Sequence, residues 1–478
     1  MTNYCNQIDH FYQLYDCGYF SWKMCVLNLT QTVVEMERAW EWRLFDSHLC
    51  KFCRQKHHNP KSIYFLAKGD CAELRPAGGF HAAAVQGSVT DQFDRVKKAF
   101  QQNFADGWES HGAALAVFHN GTLVVDLWGG YADYEAHRPW TRETMSTLFS
   151  TSKLFCALSV AVLVDRGLLD YDERVCTYWP EFAQNGKQDI TVCDMISHMG
   201  GLAIMDEDIT YEDVSDWRRM SAIIERQTPN WECDRAQFGY HALTIGWLAD
   251  QLVRRVDPKQ RSIGQFVKEE LCAPFSADVV HIGLDPDLDQ HVTRVSLCHW
   301  RHQIPHMWQN LGYAKYALTY LTGANEDMKR VYSNPRFICD GIPQGRYAFN
   351  NPSIRRVEIP SVNGISTARG LGAPLNAVLQ GKLLSGATLD RISDPILTDT
   401  VDCLAGETVD VGHGFVYTKS KKNDTWLIGH PGHGGQNCKM DRANNLVIAY
   451  ITNECKPSLS RDFTRTFRRL ENAVYDCI

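Results

Sequence analysis

Three separated segments of the chain carry residue types whose spacing could support chemistry. The first is Ser150-Thr151-Ser152-Lys153, an S-x-x-K pattern. At a helix start, Ser150 and Lys153 would lie one turn apart on the same face. A serine hydroxyl needs an adjacent base at neutral pH, and burial would lower the lysine pKa and make a neutral amine accessible. The alternative is that a serine caps the helix and Lys153 is an ordinary surface lysine.

The second segment is Phe238-Gly239-Tyr240-His241-Ala242, which runs into a predicted helix at Leu243–Val253. A tyrosine held near a lysine ammonium could act as a phenolate base. Taken alone, Tyr240 is better explained as a buried aromatic residue that anchors the helix after it.

The third segment, GHPGHGG at 429–435, follows a predicted strand at Trp426–Ile428. So many glycines beside a strand indicate the close approach of another backbone or of a ligand. A tight hairpin turn with His430 and His433 at the surface is the alternative. Metal binding by these two histidines lacks a third ligand, so we predict no metal here.

The elements that must position these segments follow from periodicity and turn signals. Apolar spacing predicts a helix at Phe93–Phe104 and a long helix at Ser146–Arg166, which Gly167 ends. Asn120-Gly121 predicts a hairpin between two early strands. Helices and loops dominate residues 170–360. The predicted strands and the last helix are Gly112–Phe118, Thr122–Trp128, Trp426–Ile428, Asn437–Asp441, Leu446–Thr452 and Ser460–Tyr475.

Strands near both ends of this region, with helices between them, predict one antiparallel sheet assembled from distant parts of the chain. Repeated βαβ units are missing from the pattern, which argues against a doubly wound fold. Residues 1–80 are different: they are rich in aromatic residues and cysteines and contain one candidate helix, Thr32–Leu49. Lys68–Gly79 is a predicted linker. Cys50, Cys53, His57 and His58 lie close enough to suggest a metal site, but a second ligand pair at a suitable spacing is missing.

Composition narrows the function. The 478 residues carry a formal net charge of -7, which gives no support for binding nucleic acid or an anionic membrane. Neither a membrane span nor a signal or transit peptide is evident, and the 17 cysteines are spread along the chain. We therefore expect reduced thiols and a cytoplasmic protein. The sequence predicts no cofactor and leaves the oligomeric state open.

Taken together, the three segments resemble the serine β-lactamase and penicillin-binding-protein family, in which S-x-x-K is followed by two further motifs. In the branch of β-lactamase-related esterases and animal β-lactamase-like proteins, the middle motif begins with tyrosine and His-x-Gly can replace K-T-G. The resemblance covers about residues 85–470. Other segments similar to that branch are VVDLWGGYAD at 124–133, YWPEFAQNGK at 178–187, ISHMGGL at 196–202, GYHALTIGWL at 239–248, NGISTARGL at 363–371 and IAYITN at 448–453.

The resemblance implies an α/β (α+β) fold: an antiparallel sheet flanked by helices, with an inserted helical subdomain. The sheet would come from about 95–150 and 360–470, and the insertion from about 160–360, with the active site at their junction. Residues 1–80 would be an N-terminal extension of unknown role.

The resemblance also implies roles for individual residues. Ser150 would attack a carbonyl, while Lys153 and Tyr240 share proton transfer. His430 matches the lysine of K-T-G and would orient Tyr240 or a substrate carboxylate. The oxyanion hole would use the N–H groups of Ser150 and of His433, which follows Gly432.

Two departures from the antibiotic-hydrolysing members point to another substrate. Ala242 stands where relatives have an asparagine that holds an antibiotic's amide, and His430 would be a weaker, pH-dependent positive charge than lysine. Both favour an esterase or amidase acting on a small-molecule or peptide substrate. The competing hypothesis is a non-catalytic scaffold or binding protein that keeps the fold. The presence of Ser150, Lys153 and Tyr240 favours the enzyme.

Overall fold

The computed structural model describes residues 85–231, 237–298, 326–341, 346–457 and 464–478. The expected helix at Thr32–Leu49, the linker and the N-terminal cysteine–histidine group lie outside the described residues. The strands are β1 Gln86–Val89, β2 Gly112–His119, β3 Thr122–Asp133, β4 Arg138–Pro139, β5 Ser146–Thr147, β6 Ser296–Leu297, β7 Ile365–Ser366, β8 Leu397–Val401, β9 Thr408–Gly412, β10 Phe415–Lys419, β11 Trp426–Pro431, β12 Asn437–Asp441, β13 Leu446–Thr452 and β14 Glu454–Cys455.

The α-helices of the described residues alternate with short 3₁₀ turns and loops. They are α1 Asp94–Ala105, α2 Lys153–Asp165, α3 Val175–Tyr178, α4 Val192–Ile196, α5 Tyr211–Ser215, α6 Trp217–Arg226, α7 Thr244–Val256, α8 Ile263–Phe266, α9 Glu326–Val331, α10 Arg336–Cys339, α11 Pro352–Arg356, α12 Ala368–Leu379, α13 Gly386–Arg391 and α14 Arg465–Tyr475. Over this part of the chain, no helix is both long and apolar enough to cross a membrane.

One large antiparallel sheet joins the early and late strands, in the order β1-β3-β2-β13-β12-β11-β10-β9-β8. The junction between the two chain regions is the pair β2–β13, in which Leu115 lies opposite Tyr450. The mixed fold with an antiparallel sheet and flanking helices, expected from the sequence, is therefore confirmed. The predicted hairpin is present as well: Asn120 and Gly121 both have positive φ, 51° and 80°, as a type I′ turn requires.

Helices cover both faces of the sheet because each face carries apolar side chains. On one face, α1 and α14 pack through residues such as Val96, Phe100 and Phe467. On the other face, α12 packs against β2 and β13, and α2 lies deeper, against α7. Helix α2 is apolar on nearly all sides, which is the pattern of a helix buried within a protein. This burial matters because α2 begins with Lys153.

The predicted helix Ser146–Arg166 was wrong at its start. Ser146 and Thr147 form strand β5 with β7, and a 3₁₀ turn at Phe149–Ser152 leads into α2. The reason is tertiary: the Ser146 hydroxyl donates to the carbonyl of Thr452, more than 300 residues away in the sequence. The far end agrees with the expectation, since Gly167 has φ 68° just after the helix.

Two boundaries near the C-terminus, one of a strand and one of a helix, also differ from those predicted from the sequence. Strand β11 continues to Pro431, so His430 lies within the strand and not in the loop after it. Helix α14 begins at Arg465, where the Thr464 hydroxyl accepts the N–H of Phe467. The expected start at Ser460 lies outside the described residues.

Candidate active site

The 3₁₀ turn that carries Ser150 is fixed by two contacts with Gly364. The Leu148 N–H donates to the Gly364 carbonyl at 2.8 Å, and the Gly364 N–H donates to Ser152 Oγ at 2.9 Å. A Cβ on Gly364 would lie 2.7 Å from Ser152 Oγ, so only glycine allows this approach. Phe149 has φ 48°, a left-handed conformation that is uncommon for a bulky residue. The strained residue thus immediately precedes the half-buried Ser150.

Lys153 lies directly beneath Ser150. Its Nζ is 3.2 Å from Ser150 Oγ, 2.8 Å from the Ala242 carbonyl oxygen and 3.1 Å from the Ser361 carbonyl oxygen. The side chain is 1% exposed, and its nitrogen lies 4.8 Å from the centre of the Tyr240 ring. The spacing in S-x-x-K therefore does bring the amine to the serine, as the sequence predicted.

Burial lowers the pKa of Lys153 to about 7. The cause is desolvation, which penalises the ammonium, and the contacts explain how the neutral amine is held. A neutral amine has two hydrogens, and the Ala242 and Ser361 carbonyls can accept both. Its lone pair then faces the Ser150 hydroxyl, which is the arrangement that a general base requires.

Tyr240 is held by its backbone and by two neighbouring histidine rings. Its N–H donates to Oδ1 of the buried Asp402 at 3.2 Å. Its ring lies between His198 and His430, with ring centres 5.1 Å and 6.2 Å away. The loop before α7 thus places Tyr240 beside Lys153, and the structure brings the first and second sequence segments together.

Two histidines behind Tyr240 are neutral. His241 accepts the Leu202 N–H at Nε2 and contacts the Gly239 carbonyl through Nδ1, so its single ring proton belongs on Nδ1. His198 accepts the His241 N–H at Nδ1 over 3.0 Å. Burial lowers the pKa of His241 to about 4 and that of His198 well below its ordinary value. These rings support Tyr240 without adding charge.

His430 is neutral as well, which corrects the expectation of a pH-dependent positive charge. Its Nδ1 is 2.7 Å from the Pro431 carbonyl, so Nδ1 carries the proton and Nε2 is an acceptor. The side chain is 3% exposed, and burial, together with the nearby Lys153, lowers its pKa to about 3. A residue in this state can orient a hydroxyl, but it cannot attract a carboxylate by charge.

The segment 432–436, here called the glycine loop, lies against the Ser150 turn. A Cβ on Gly432 would be 2.5 Å from the Leu148 carbonyl oxygen and 2.6 Å from Thr151 Oγ1, so glycine is required by close approach. The His433 ring packs edge-on against Phe149, with ring centres 5.2 Å apart. Within the described residues, no hydrogen bond uses the N–H groups of Ser150 or His433. These two donors are the pair expected for an oxyanion hole.

Several contributors to this site carried no signal in the sequence. Ala242 and Ser361 contribute backbone carbonyls, which a sequence motif does not reveal. Asp402 supports Tyr240 from 162 positions away in the sequence. His198 lies within the segment ISHMGGL, but that segment gave no indication that its ring contacts Tyr240. Among the described residues, no group of three or more histidine, cysteine or acidic side chains could hold a metal ion.

Comparisons with known proteins identify the family of the chain. Residues 100–473 match the beta-lactamase family. The chain is 32% identical over 304 residues to the esterase/beta-lactamase LipL of Mycobacterium tuberculosis, which covers 63% of this chain and 66% of that protein. It is 36% identical over 102 residues to the human mitochondrial serine beta-lactamase-like protein LACTB, over 20% of this chain and 19% of that one.

Solved structures give the same result. A family VIII carboxylesterase superposes with a TM-score of 0.69 at 29% identity, over 83% of this chain and all of the other. A penicillin-binding-protein homologue from Caulobacter crescentus superposes with a TM-score of 0.67, also at 29% identity and over the same shares of the two chains. The chain belongs to the beta-lactamase family of serine hydrolases, and the resemblance seen in its sequence is confirmed.

Proposed function

We propose that this protein is an esterase- or amidase-type hydrolase that works through an acyl-enzyme on Ser150. The observation that carries the proposal is the environment of Lys153. Its amine has two carbonyl acceptors, and its lone pair faces Ser150 Oγ. Lys153 takes the hydroxyl proton as Ser150 attacks the substrate carbonyl, and passes it to the alcohol or amine that leaves when the ester or amide bond breaks. The N–H groups of Ser150 and His433 stabilise the oxyanion.

Deacylation needs a base for the attacking water, and Tyr240 takes that role in this proposal. Its position beside Lys153 allows the two groups to exchange a proton, and the neutral His430, whose Nε2 has no hydrogen-bond partner among the described residues, offers an acceptor near the Tyr240 ring. Lys153 and Tyr240 therefore share the proton between the two half-reactions.

Esters fit the site better than antibiotic-type amides. Ala242 lies where relatives have an asparagine side chain, and it packs in a small apolar cluster with Ala203 and Ile204. A neutral His430 removes the positive charge that would bind a substrate carboxylate. A small, uncharged ester is thus the proposed substrate class.

A matched pair of substrates tests this function. We expect hydrolysis of a p-nitrophenyl ester at a kcat/KM well above that of the p-nitroanilide with the same acyl group, because the phenolate leaves without protonation. Initial rates at 405 nm measure both reactions. A panel of esters, amides and peptides that gives no turnover, together with no labelling by a fluorophosphonate, would favour the non-catalytic scaffold.

Residues 85–470 are proposed to form the catalytic domain, with 1–80 as an extension outside it. Strands β2 and β13 pair directly within that range, and α1 and α14 pack together over them. We expect a variant lacking residues 1–80 to remain folded and probe-reactive, as measured by thermal unfolding and fluorophosphonate labelling. Complete loss of folded protein would show that the extension is part of the core.

We propose a cytoplasmic location. The ten cysteines of the described residues form no disulfide bond, and burial raises the pKa of most of their thiols. Such thiols suit a reducing compartment. Fractionation of cells that express the full chain, with immunodetection, would test the location.

A further inference from the structure

A buried charge cluster lies on the α1/α14 face of the sheet, separate from the residues that perform the chemistry. Lys456 is fully buried, and its Nζ lies 2.6 Å from Glu109 Oε1 and 3.7 Å from Glu454 Oε2. Glu109 also accepts the hydroxyls of Thr452, at 2.7 Å, and Tyr450. Burying one ammonium with two carboxylates is costly unless each is paired, so this cluster must be held in one geometry.

The second carboxylate of the cluster, Glu454, also has hydrogen-bond partners. Glu454 accepts the N–H of Ser110 at 3.2 Å and the hydroxyl of the same residue, and His111 Nδ1 is 3.6 Å away. Burial alone would lower the pKa of Lys456, but Glu109 and Glu454 raise it, so the ammonium stays charged. The charge is thus fixed in position immediately after β14.

The segment 452–456, which contains Lys456, also holds the glycine loop through hydrogen bonds made by its backbone. The Lys456 N–H donates to the Gly434 carbonyl at 3.1 Å. The Gln436 side chain bonds both backbone groups of Thr452, at 2.8 Å and 2.7 Å. Gln436 in turn accepts the Gly432 N–H at 2.8 Å through its carbonyl. His433 therefore lies between two points that are tied to the segment 452–456.

We propose that Lys456, paired with Glu109, is a positioning residue for the oxyanion hole: it fixes segment 452–456, whose backbone sets the place of the His433 N–H. The inference rests on the proposed function, because it concerns the donor that stabilises the acyl-transfer oxyanion. Lys456 itself does not touch the substrate. Removing its charge should change transition-state stabilisation more than substrate binding.

Lys456→Met tests the inference, with Lys439→Met as its matched control. Lys439 forms a buried pair with Glu471 of α14 at 2.7 Å, on the same face of the sheet. Because losing one oxyanion donor outright costs roughly 10²–10³ in kcat, a displaced donor should cost about 10- to 100-fold. We expect this loss in Lys456→Met with little change in KM, and near wild-type kcat in Lys439→Met.

Phenylboronic acid supplies a readout that a purely structural role would not move. Ser150 Oγ adds to boron as its proton passes to Lys153, and the boron becomes a tetrahedral anion with an oxygen in the oxyanion hole. Its inhibition constant should rise in Lys456→Met by the same factor as kcat/KM falls. If that variant does not fold, the doubly neutralised Glu109→Gln/Lys456→Met variant is measured instead, with the same expectation.

The outcomes separate this inference from the function on which it rests. If wild type binds phenylboronic acid at Ser150 and the folded Lys456 variant binds it equally well, the positioning role is refuted while the hydrolase remains. A rise in KM at unchanged kcat, or an equal loss in Lys439→Met, refutes it too. A wild-type protein that forms no Ser150 adduct overturns the proposed function and this inference together.

Discussion

Ser150→Ala is expected to abolish covalent labelling and to reduce kcat by about 10⁴- to 10⁶-fold, the range seen when a serine hydrolase loses its nucleophile. The reason is that the Ser150 hydroxyl lies 3.2 Å from the Lys153 amine, which can take its proton as the oxygen attacks. Intact-mass analysis after treatment with a phosphonate or a slow ester measures the result directly. Wild type should gain one adduct, and the variant none.

Ser152→Ala is the matched control for this experiment. Ser152 is in the same turn and is buried, but its hydroxyl accepts the Gly364 N–H and does not face Lys153. We expect Ser152→Ala to lose about 1–3 kcal/mol of stability, since a buried N–H is left unpaired, and to keep its adduct. If Ser150→Ala is labelled like wild type while Ser152→Ala is not, the nucleophile has been misassigned.

The sequence predicted contacts that depend on local spacing and missed those that depend on tertiary pairing. Ser150 and Lys153 meet because three residues make about one helical turn, a relation that is independent of the rest of the fold. Ser146 and Thr147 belong to a strand only because β7 lies beside them, and the apolar run that follows hid this pairing. Local propensity could not reveal it.

The chemistry of the site was predictable as residue types but not as protonation states. His430 was expected to carry a pH-dependent charge, since an exposed imidazole titrates near neutral pH. Its burial and its bond to the Pro431 carbonyl make it a neutral acceptor instead. Lys153 is held by the backbone carbonyls of Ser361 and Ala242. Because every residue has a backbone carbonyl, the residue types do not reveal which ones accept from Lys153. Predicting the protonation states therefore required the three-dimensional surroundings of each side chain.

Tyr240→Phe separates the two half-reactions that Lys153 and Tyr240 are proposed to share. The ring would keep its contacts with His198 and Lys153, so the variant should fold. If Tyr240 activates the deacylating water, acylation should persist while turnover slows, and an acyl-enzyme should accumulate as a burst in rapid kinetics. Wild-type kcat in Tyr240→Phe would leave Lys153 as the sole proton carrier.

Lys153→Met should lower kcat by about 10²- to 10⁴-fold with little change in KM, the usual contribution of a general base. Methionine fills a buried site of similar length but has no lone pair for the Ser150 proton. In wild type the pKa of Lys153 is lowered to about 7, and only the neutral amine can act as a base. Turnover of a neutral ester should therefore fall about tenfold per pH unit below pH 7 and level off above it. Lys187→Met is the control, because Lys187 is also buried but donates to the Glu225 and Gln227 carbonyls instead of facing the Ser150 hydroxyl. A pH profile that is flat from 5 to 8, or an equal loss in both variants, would contradict Lys153 as the base.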